Sequence, residues 1–311
     1  MKTESTVMAW FRIARPPIVF ISCLGVVVGA LNSASYLGVK LSLFQLFMII
    51  VGSAFLSAGL MIHNDVTDLR SDRVNRPYKP LPSGRIDLGV ARTTGLSLMI
   101  LAVVVSIFVN FLDNGLLNWK CGLLTLVVVL IGLYYNHFGK YKGILGNVAV
   151  AFGVGAIPYW GSLAVFPDEL FIMFPLAFAI FVQEIGREIM VNAGDINGDM
   201  KAGYRTLPVL LGRRRSMYVA LIFYLGFIPL FPIPYFGWLG ADAVLHGPFY
   251  LVGASAFAFS LLLTWFLTFR VVLMTDDESR IWDAFERYER TGTRLMVIFF
   301  QFMLLMEAFY P

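Results

Sequence analysis

Long apolar runs dominate this chain, each broken by a short polar stretch. Nine of them reach roughly 20 residues, the length that crosses a hydrocarbon core as a helix. They cover 17–38, 41–63, 89–112, 119–136, 143–166, 169–190, 216–236, 247–272 and 291–310. None shows the period-two alternation of a membrane barrel strand, so the pattern predicts helices throughout. The expected fold is an all-α integral membrane protein with nine transmembrane helices in a single domain.

The polar stretches sort by charge. With nine spans, 22 of the 24 Lys and Arg residues fall on one face, and only Lys40 and Lys120 fall on the other. The crowded face holds Lys2, Arg12 and Arg15 before the first span, and Arg70, Arg73, Arg76, Lys79, Arg85 and Arg92 after the second. Lys140 and Lys142 follow the fourth span, Arg187, Lys201, Arg205 and Arg213 to Arg215 surround the end of the sixth, and Arg270 to Arg294 supply the rest. Positive loops stay inside, so the N-terminus and these loops are expected in the cytoplasm and the C-terminus, ending at Pro311, outside.

Composition agrees. The 311 residues are 58% hydrophobic and 14% charged, against about 25% charged in ordinary soluble domains. Mean hydropathy is +0.75. The start of the chain, with Lys2 and Glu4 and no long apolar core, does not read as a cleavable signal. Cys23 and Cys121 lie inside apolar runs and read as small core residues. His63, His137 and His246 have no zinc-like spacing.

Acidic residues concentrate at two places on the crowded face. Asn64, Asp68 and Asp72 follow one another at four-residue steps at the end of the second span, and stack along one helix face, continued by Arg76. Pro77, Pro80 and Pro82 then forbid a regular helix, and Ser83-Gly84 reads as a turn. Asp195 and Asp199, again four apart, follow the sixth span. Four spans separate the two motifs, so both face the same side, as in pseudo-repeat halves near 1–136 and 143–272 with a ninth helix at 291–310. Paired carboxylates at this spacing repel unless cations join them. Oxygen ligands suit Mg2+, which takes one or two carboxylates and completes its shell with phosphate oxygens and water. Interleaved Arg76, Lys79, Lys140, Lys142 and Arg205 suit the rest of a phosphate group. The combination points to a diphosphate held through metal. A third acidic cluster, Asp276-Asp277-Glu278, lacks that spacing and reads as the start of a short amphipathic helix running to Arg290. Arg213-Arg214-Arg215 reads as a topology anchor.

The segment Asn64-Asp65-x-x-Asp68-x-x-x-Asp72, followed by Asn75-Arg76-Pro77-Tyr78-Lys79-Pro80-Leu81-Pro82-Ser83-Gly84-Arg85, resembles the first signature of the UbiA-type intramembrane prenyltransferases. Asp195-x-x-x-Asp199, with Lys201-Ala202-Gly203 and Thr206-Leu207-Pro208, resembles the second. Lys140 with Gly146-Asn147, and Arg15-Pro16, resemble further family positions, so the likeness runs to about residue 212. Within the family, the Asp72-to-Arg76 spacing and Gly186-Arg187-Glu188-Ile189 are most similar to the archaeal ether-lipid members, which join a geranylgeranyl chain to geranylgeranylglyceryl phosphate.

The resemblance implies helices around a central cavity with cytoplasmic cap loops. It also implies two Mg2+ ions bridging an isoprenyl diphosphate to Asn64, Asp68 and Asp72 on one side and Asp195 and Asp199 on the other. Arg15, Arg76, Lys79, Lys140, Lys142, Tyr141 and Arg205 would complete substrate binding, and Tyr134, Tyr135 or Tyr141 would shield an allylic cation. Asp65 and Glu188 are the candidates for a base. The expected partners are an isoprenyl diphosphate, a lipophilic acceptor and membrane lipid, with no nucleic acid. Two acceptor classes stay open, a glyceryl phosphate lipid and an aromatic or quinone-precursor ring. A cation or lipid transporter is the rival of another class; it calls for charge near the bilayer midplane, where Glu184 is the main candidate and sits close to one end of its span.

Overall fold

The computed structural model describes residues 5–237, 244–245 and 247–310, so Lys2, His246 and Pro311 lie outside the described residues. Among those described there are helices and turns and no strand. The helices are α1 (Thr6–Ile13), α2 (Pro16–Leu37), α3 (Leu43–Thr67), α4 (Leu69–Asn75), α5 (Leu88–Ile107), α6 (Phe111–Asn114), α7 (Trp119–His137) and α8 (Ile144–Val165), followed by α9 (Phe174–Ala202), α10 (Leu207–Leu211), α11 (Arg213–Phe227), α12 (Ile233–Phe236), α13 (Pro248–Met274), α14 (Glu278–Ala284) and α15 (Thr293–Phe309). A 3₁₀ turn at Gly139–Tyr141 precedes α8, and a π-helical segment at Phe285–Gly292 joins α14 to α15.

The long helices pack as a closed ring: α2 on α3, α3 on α5, then α7, α8, α9, α11, α13 and α15, which returns to α2. α2 also crosses the middle of the ring against α8. That crossing is a backbone contact: a Cβ added at Gly29 would lie 2.0 Å from the carbonyl oxygen of Pro158, and one at Gly161 2.1 Å from that of Val26. It divides the bundle into two halves. The half bounded by α2, α3, α5, α7 and α8 is hollow. The other is filled by a core that includes Ile189, Met217, Tyr224, Phe227, Tyr250 and Phe257, all at most 2% exposed.

Seven helical stretches among the described residues are long and apolar enough to cross a membrane: α2, α3, 88–113, α7, α8, α13 and 278–309. The remaining two expected spans differ for separate reasons. α9 is long enough, but Glu184, Arg187 and Glu188 interrupt its apolar stretch. They fold in as a group, Arg187 bonding Glu184 through its Nε at 2.8 Å and Glu188 at 2.5 Å. α11 has 15 residues and stops at Phe227, ahead of Pro229, Pro232 and Pro234, which remove backbone donors and bend the chain into α12. The ninth run starts earlier than 291, because α14 continues through the π-helical segment into α15.

Candidate active site

At one end of the ring, α3 and α4 meet α9. Asp68 stands between α3 and α4, and the ladder passes through it: Asp68 N bonds Asn64 O at 2.9 Å, Asp72 N bonds Asp68 O at 2.8 Å, and Arg76 N bonds Asp72 O at 2.8 Å. Asn64, Asp68, Asp72 and Arg76 thus keep one face despite the junction. The prolines after Arg76 fold the chain back, with Gly84 in the left-handed region (φ 73°), and return Lys79 to the strip. Its ammonium reaches Asp72 at 2.7 Å and Asp65 at 3.2 Å.

The second motif differs from the sequence expectation of a segment beyond its span. Asp195 and Asp199 lie inside α9, whose 29 residues run on to Ala202. Gly203 ends the helix with φ 74°, a conformation a side chain would resist. Tyr204 then ties the motifs together: its N–H donates to the Asp199 carbonyl oxygen at 2.9 Å, and its hydroxyl donates to Asp68 Oδ1 at 3.0 Å. Thr206 donates to Asp199 Oδ2 at 3.0 Å. The two aspartate pairs therefore face each other across one site.

Each carboxylate has a partner. Lys140, buried, pairs with Asp68 and sits over the rings of Tyr135 and Tyr204 at 5.5 and 5.7 Å. Its backbone is fixed by short pairing with 205: Arg205 N bonds Lys140 O at 3.1 Å and Gly143 N bonds Arg205 O at 2.9 Å. Asp195 receives Arg290 at 2.5 Å, with Arg76 3.9 Å away. Asp65, 4% exposed, bridges Lys79 and Arg15, the latter at 2.5 Å. Arg15 holds this position with φ 53°, the one non-glycine residue in the left-handed region among those described. Pro16 excludes the right-handed helical conformation from the residue before it, so the turn from α1 to α2 falls there at a cost of about 1 kcal/mol.

Burial raises the Asp199 carboxyl to about 6, against the opposing bond from Thr206. Burial also raises Asp72, although Lys79 pulls the other way. Oxygen donors from both motifs match a hard divalent ion. No three carboxylates among the described residues converge on a point; an ion that takes only one or two carboxylates and fills its shell from phosphate suits that spread.

Below the strip, the hollow half holds an apolar cavity of about 190 Å³. Asn64, Asn136 and Tyr135 line its polar end, with Asn64 donating to Asn136 at 2.9 Å. Beside the strip lies a polar cleft of about 490 Å³, lined by Arg12, Arg15, Arg76, Lys79 and Arg290 against Asp65 and Glu286, with Trp282 on one wall.

The structure thus gathers Arg15, Asn64, Asp68, Asp72, Arg76, Lys79, Lys140, Asp195 and Asp199. It places Lys142, Arg205 and Lys201 at the exposed surface, where Arg205 serves through its backbone. Tyr141 is 46% exposed and meets Tyr204 edge-on at 5.4 Å. Of the three tyrosines considered as cation shields, Tyr135 lines the cavity, whereas Tyr134 is exposed beside Phe138. Sequence reasoning missed Tyr204, Thr206, Asn136 and Arg290 as site residues. Tyr204 and Thr206 sit in or beside the quoted second signature, but Asn136 ends an apolar run without a motif, and Arg290 looked like the end of a surface helix. The third acidic cluster is structural: Asp277 caps α14 by accepting from Ser279 N, and Glu278 receives Arg213 at 2.7 and 3.0 Å. His63 and His137 come within 5.4 Å edge-on, and His63 meets the Asn136 amide at 3.2 Å.

A multi-pass helical membrane protein with two facing aspartate motifs over an apolar chamber is an intramembrane transferase in design. The family model of the UbiA prenyltransferase family matches residues 20–288. The chain belongs to that family, and it is a prenyltransferase embedded in the membrane. It is 32% identical to a digeranylgeranylglyceryl phosphate synthase of Sulfurisphaera tokodaii over 233 residues, 74% of this chain and 80% of the relative. A solved structure described as digeranylgeranylglyceryl phosphate synthase in membranes superposes with a TM-score of 0.71 at 21% identity, covering 98% and 99% of the two chains. A UbiA homologue from Archaeoglobus fulgidus bound to DMAPP and Mg2+ gives 0.69 at 18% identity over 97% and 99%.

Proposed function

We propose that this enzyme transfers a geranylgeranyl group from its diphosphate to geranylgeranylglyceryl phosphate, in ether-lipid synthesis, with Mg2+. The observation that carries the acceptor is the polar cleft. Five cations line it against two carboxylates, a setting for a phosphate head group held by charge-assisted bonds. It adjoins the aspartates, yet none of the four motif aspartates lines it, so an acceptor head has a place beside the donor's diphosphate. The curated relatives named as digeranylgeranylglyceryl phosphate synthases support the same reading.

Asp68, Asp72, Asp195 and Asp199, with Asn64, would hold two Mg2+ ions. Bound there, the metal supplies Lewis-acid stabilisation of the departing diphosphate. Lys140, Arg76 and Lys79 give charge-assisted bonds that strengthen as negative charge grows on the leaving oxygen. The donor's tail lies in the apolar cavity, and Tyr135, at its polar end, presents a ring to the allylic cation. The chamber excludes water from that cation. Capture by the glycerol hydroxyl needs no strong base, because the oxygen becomes acidic as the new bond forms. Asp65 lines the cleft and takes that proton from within its pairs with Arg15 and Lys79; Glu188 does not line the cleft. The motif-bearing end faces the cytoplasm, as the sorting of Lys and Arg supports.

Purified protein given Mg2+, labelled geranylgeranyl diphosphate and two competing acceptors, geranylgeranylglyceryl phosphate and 4-hydroxybenzoate, tests the reading. Label in the ether lipid that vanishes with EDTA is the expected result. Label in the aromatic product overturns the acceptor.

A further inference from the structure

The apolar cavity ends on a fixed floor. Its polar end is set by Asn64, Asn136 and Ala149, and its deep end by Gly52, Leu124 and Trp160. Twelve residues separate these ends on α3 and on α7, and eleven on α8, so each helix gives a depth of about 17–18 Å at 1.5 Å per residue. Three skeletal bonds of an extended chain span at most about 3.6 Å, so an isoprene unit, with four, spans about 4.8 Å, and four units about 19 Å. The depth falls about one to two ångströms short of four fully extended units, and five, at about 24 Å, overrun it by a whole further unit.

The floor is rigid. The Trp160 indole donates to Thr125 Oγ1 at 2.8 Å, and that hydroxyl also meets Ser106 Oγ at 2.8 Å, joining α8, α7 and α5. Trp160 is 6% exposed and backed by a buried cluster that includes Ile49, Val109 and Leu163. Beyond it the backbones of α2 and α8 touch at Gly29 and Gly161, so the chain cannot pass. Higher up, Gly153 faces open space: a Cβ there has only Val128 within 4 Å, at 3.9 Å.

We infer that Trp160 is the residue that fixes the prenyl chain length of the donor, by closing the cavity after the fourth isoprene unit. The inference rests on the reading that this cavity holds the donor's tail. Removing the indole opens space for a further unit, and a side chain at Gly153 shortens the chamber from above.

The test is kcat/KM for dimethylallyl, farnesyl, geranylgeranyl and geranylfarnesyl diphosphates in wild type, Trp160→Ala and Gly153→Leu, with one acceptor throughout. Trp160→Ala should raise the five-unit to four-unit ratio at least tenfold. Gly153→Leu, about 6 Å below the polar end at 1.5 Å per residue, should lower the four-unit to one-unit ratio at least tenfold, and it reports on the chamber if Trp160→Ala does not fold. A residue with a merely structural role would lower all four values together. Folded variants with the wild-type ratios overturn the ruler while leaving the transferase reading intact. A wild type that transfers none of the four overturns the reading beneath.

Discussion

The two halves of the bundle carry the same kind of motif on different foundations. In the hollow half, Asp68 and Asp72 sit where α3 gives way to α4, directly above a cavity. In the filled half, Asp195 and Asp199 sit within an unbroken helix whose inner face, through Ile189, Met190 and Ala193, is packed into solid core. The partners differ too. Lys140 and Lys79, which hold the first motif, come from the same half of the chain. Arg290, which holds Asp195, comes from the π-helical segment near the end of the chain. On the proposed reading the site releases a diphosphate and admits a long tail, which calls for one wall that opens onto a chamber and one that does not move. The first motif is the chamber's rim, and the second is the platform opposite.

The comparison breaks most directly by deleting one carboxylate from each wall. Asp68→Ala and Asp195→Ala should each lower kcat by about 10²–10³-fold or more, since each removes charge stabilisation of the leaving group. Asp276→Ala should leave turnover unchanged. If Asp195→Ala turned over normally while Asp68→Ala was dead, the filled half would be scaffold alone. Purified, folded variants assayed for labelled product decide it.

Partner cations come next. Lys140→Ala should cost about 10²-fold in kcat, because a buried ammonium between two rings is lost and Asp68 is left without its cation. Arg290→Ala should cost about tenfold, since Arg76 stands 3.9 Å from the same carboxylate and remains. Equal losses would show that the two walls are held alike.

What could be read from sequence follows the same division. The strip of the first motif was legible, because Asn64, Asp68, Asp72 and Arg76 lie within a few turns of one another and helix geometry alone stacks them, whereas Lys140, 72 residues from Asp68, reaches it through tertiary packing. The charge sorting and the apolar runs gave the membrane helices. α11 and α9 departed because proline placement and paired charges override a hydropathy window. Arg290 and Asn136 were illegible for another reason: they reach the site through ring closure and helix packing, which no local pattern encodes. Lys142 and Arg205 have the right charge in the right stretch, yet the pairing of 140 with 205 commits one side chain inward and turns the others out.

Acidity separates the motifs more gently. Asp199 in the metal-free protein holds its proton up to about 6, above the ordinary carboxylate value near 4. Metal must displace that proton below pH 6, so Mg2+ affinity should rise by up to about tenfold per unit from pH 5 to 6 and level off above. Calorimetry in two buffers of different ionisation enthalpy should show proton release at pH 5.5 that fades by 7.5. The folded metal-free state binds more protons than the unfolded chain between about pH 4 and 6, so its stability falls as pH rises through that window. Asp199→Asn should abolish both trends. Trends that survive it would move the titrating group to the other wall, where burial also raises Asp72.

The smallest effect sharpens what the filled half is for. Asp277 caps α14, and α14 leads without a break into the segment that carries Arg290 and Glu286. Asp277→Ala should cost about 1 kcal/mol of stability, the usual penalty for a lost N-cap. Glu278→Ala should cost less, since its bond to Arg213 is largely at the surface. Glu278 bonds Asn197, between Asp195 and Asp199, but is paired with Arg213 and with no motif aspartate, so turnover should stay within about twofold while the melting temperature falls. A turnover loss approaching that of Arg290→Ala would mean that the cap sets the register of the π-helical turn, and through it the grip of Arg290 on Asp195. The platform would then depend on the helix leading into its cation as well as on the helix that carries its aspartates.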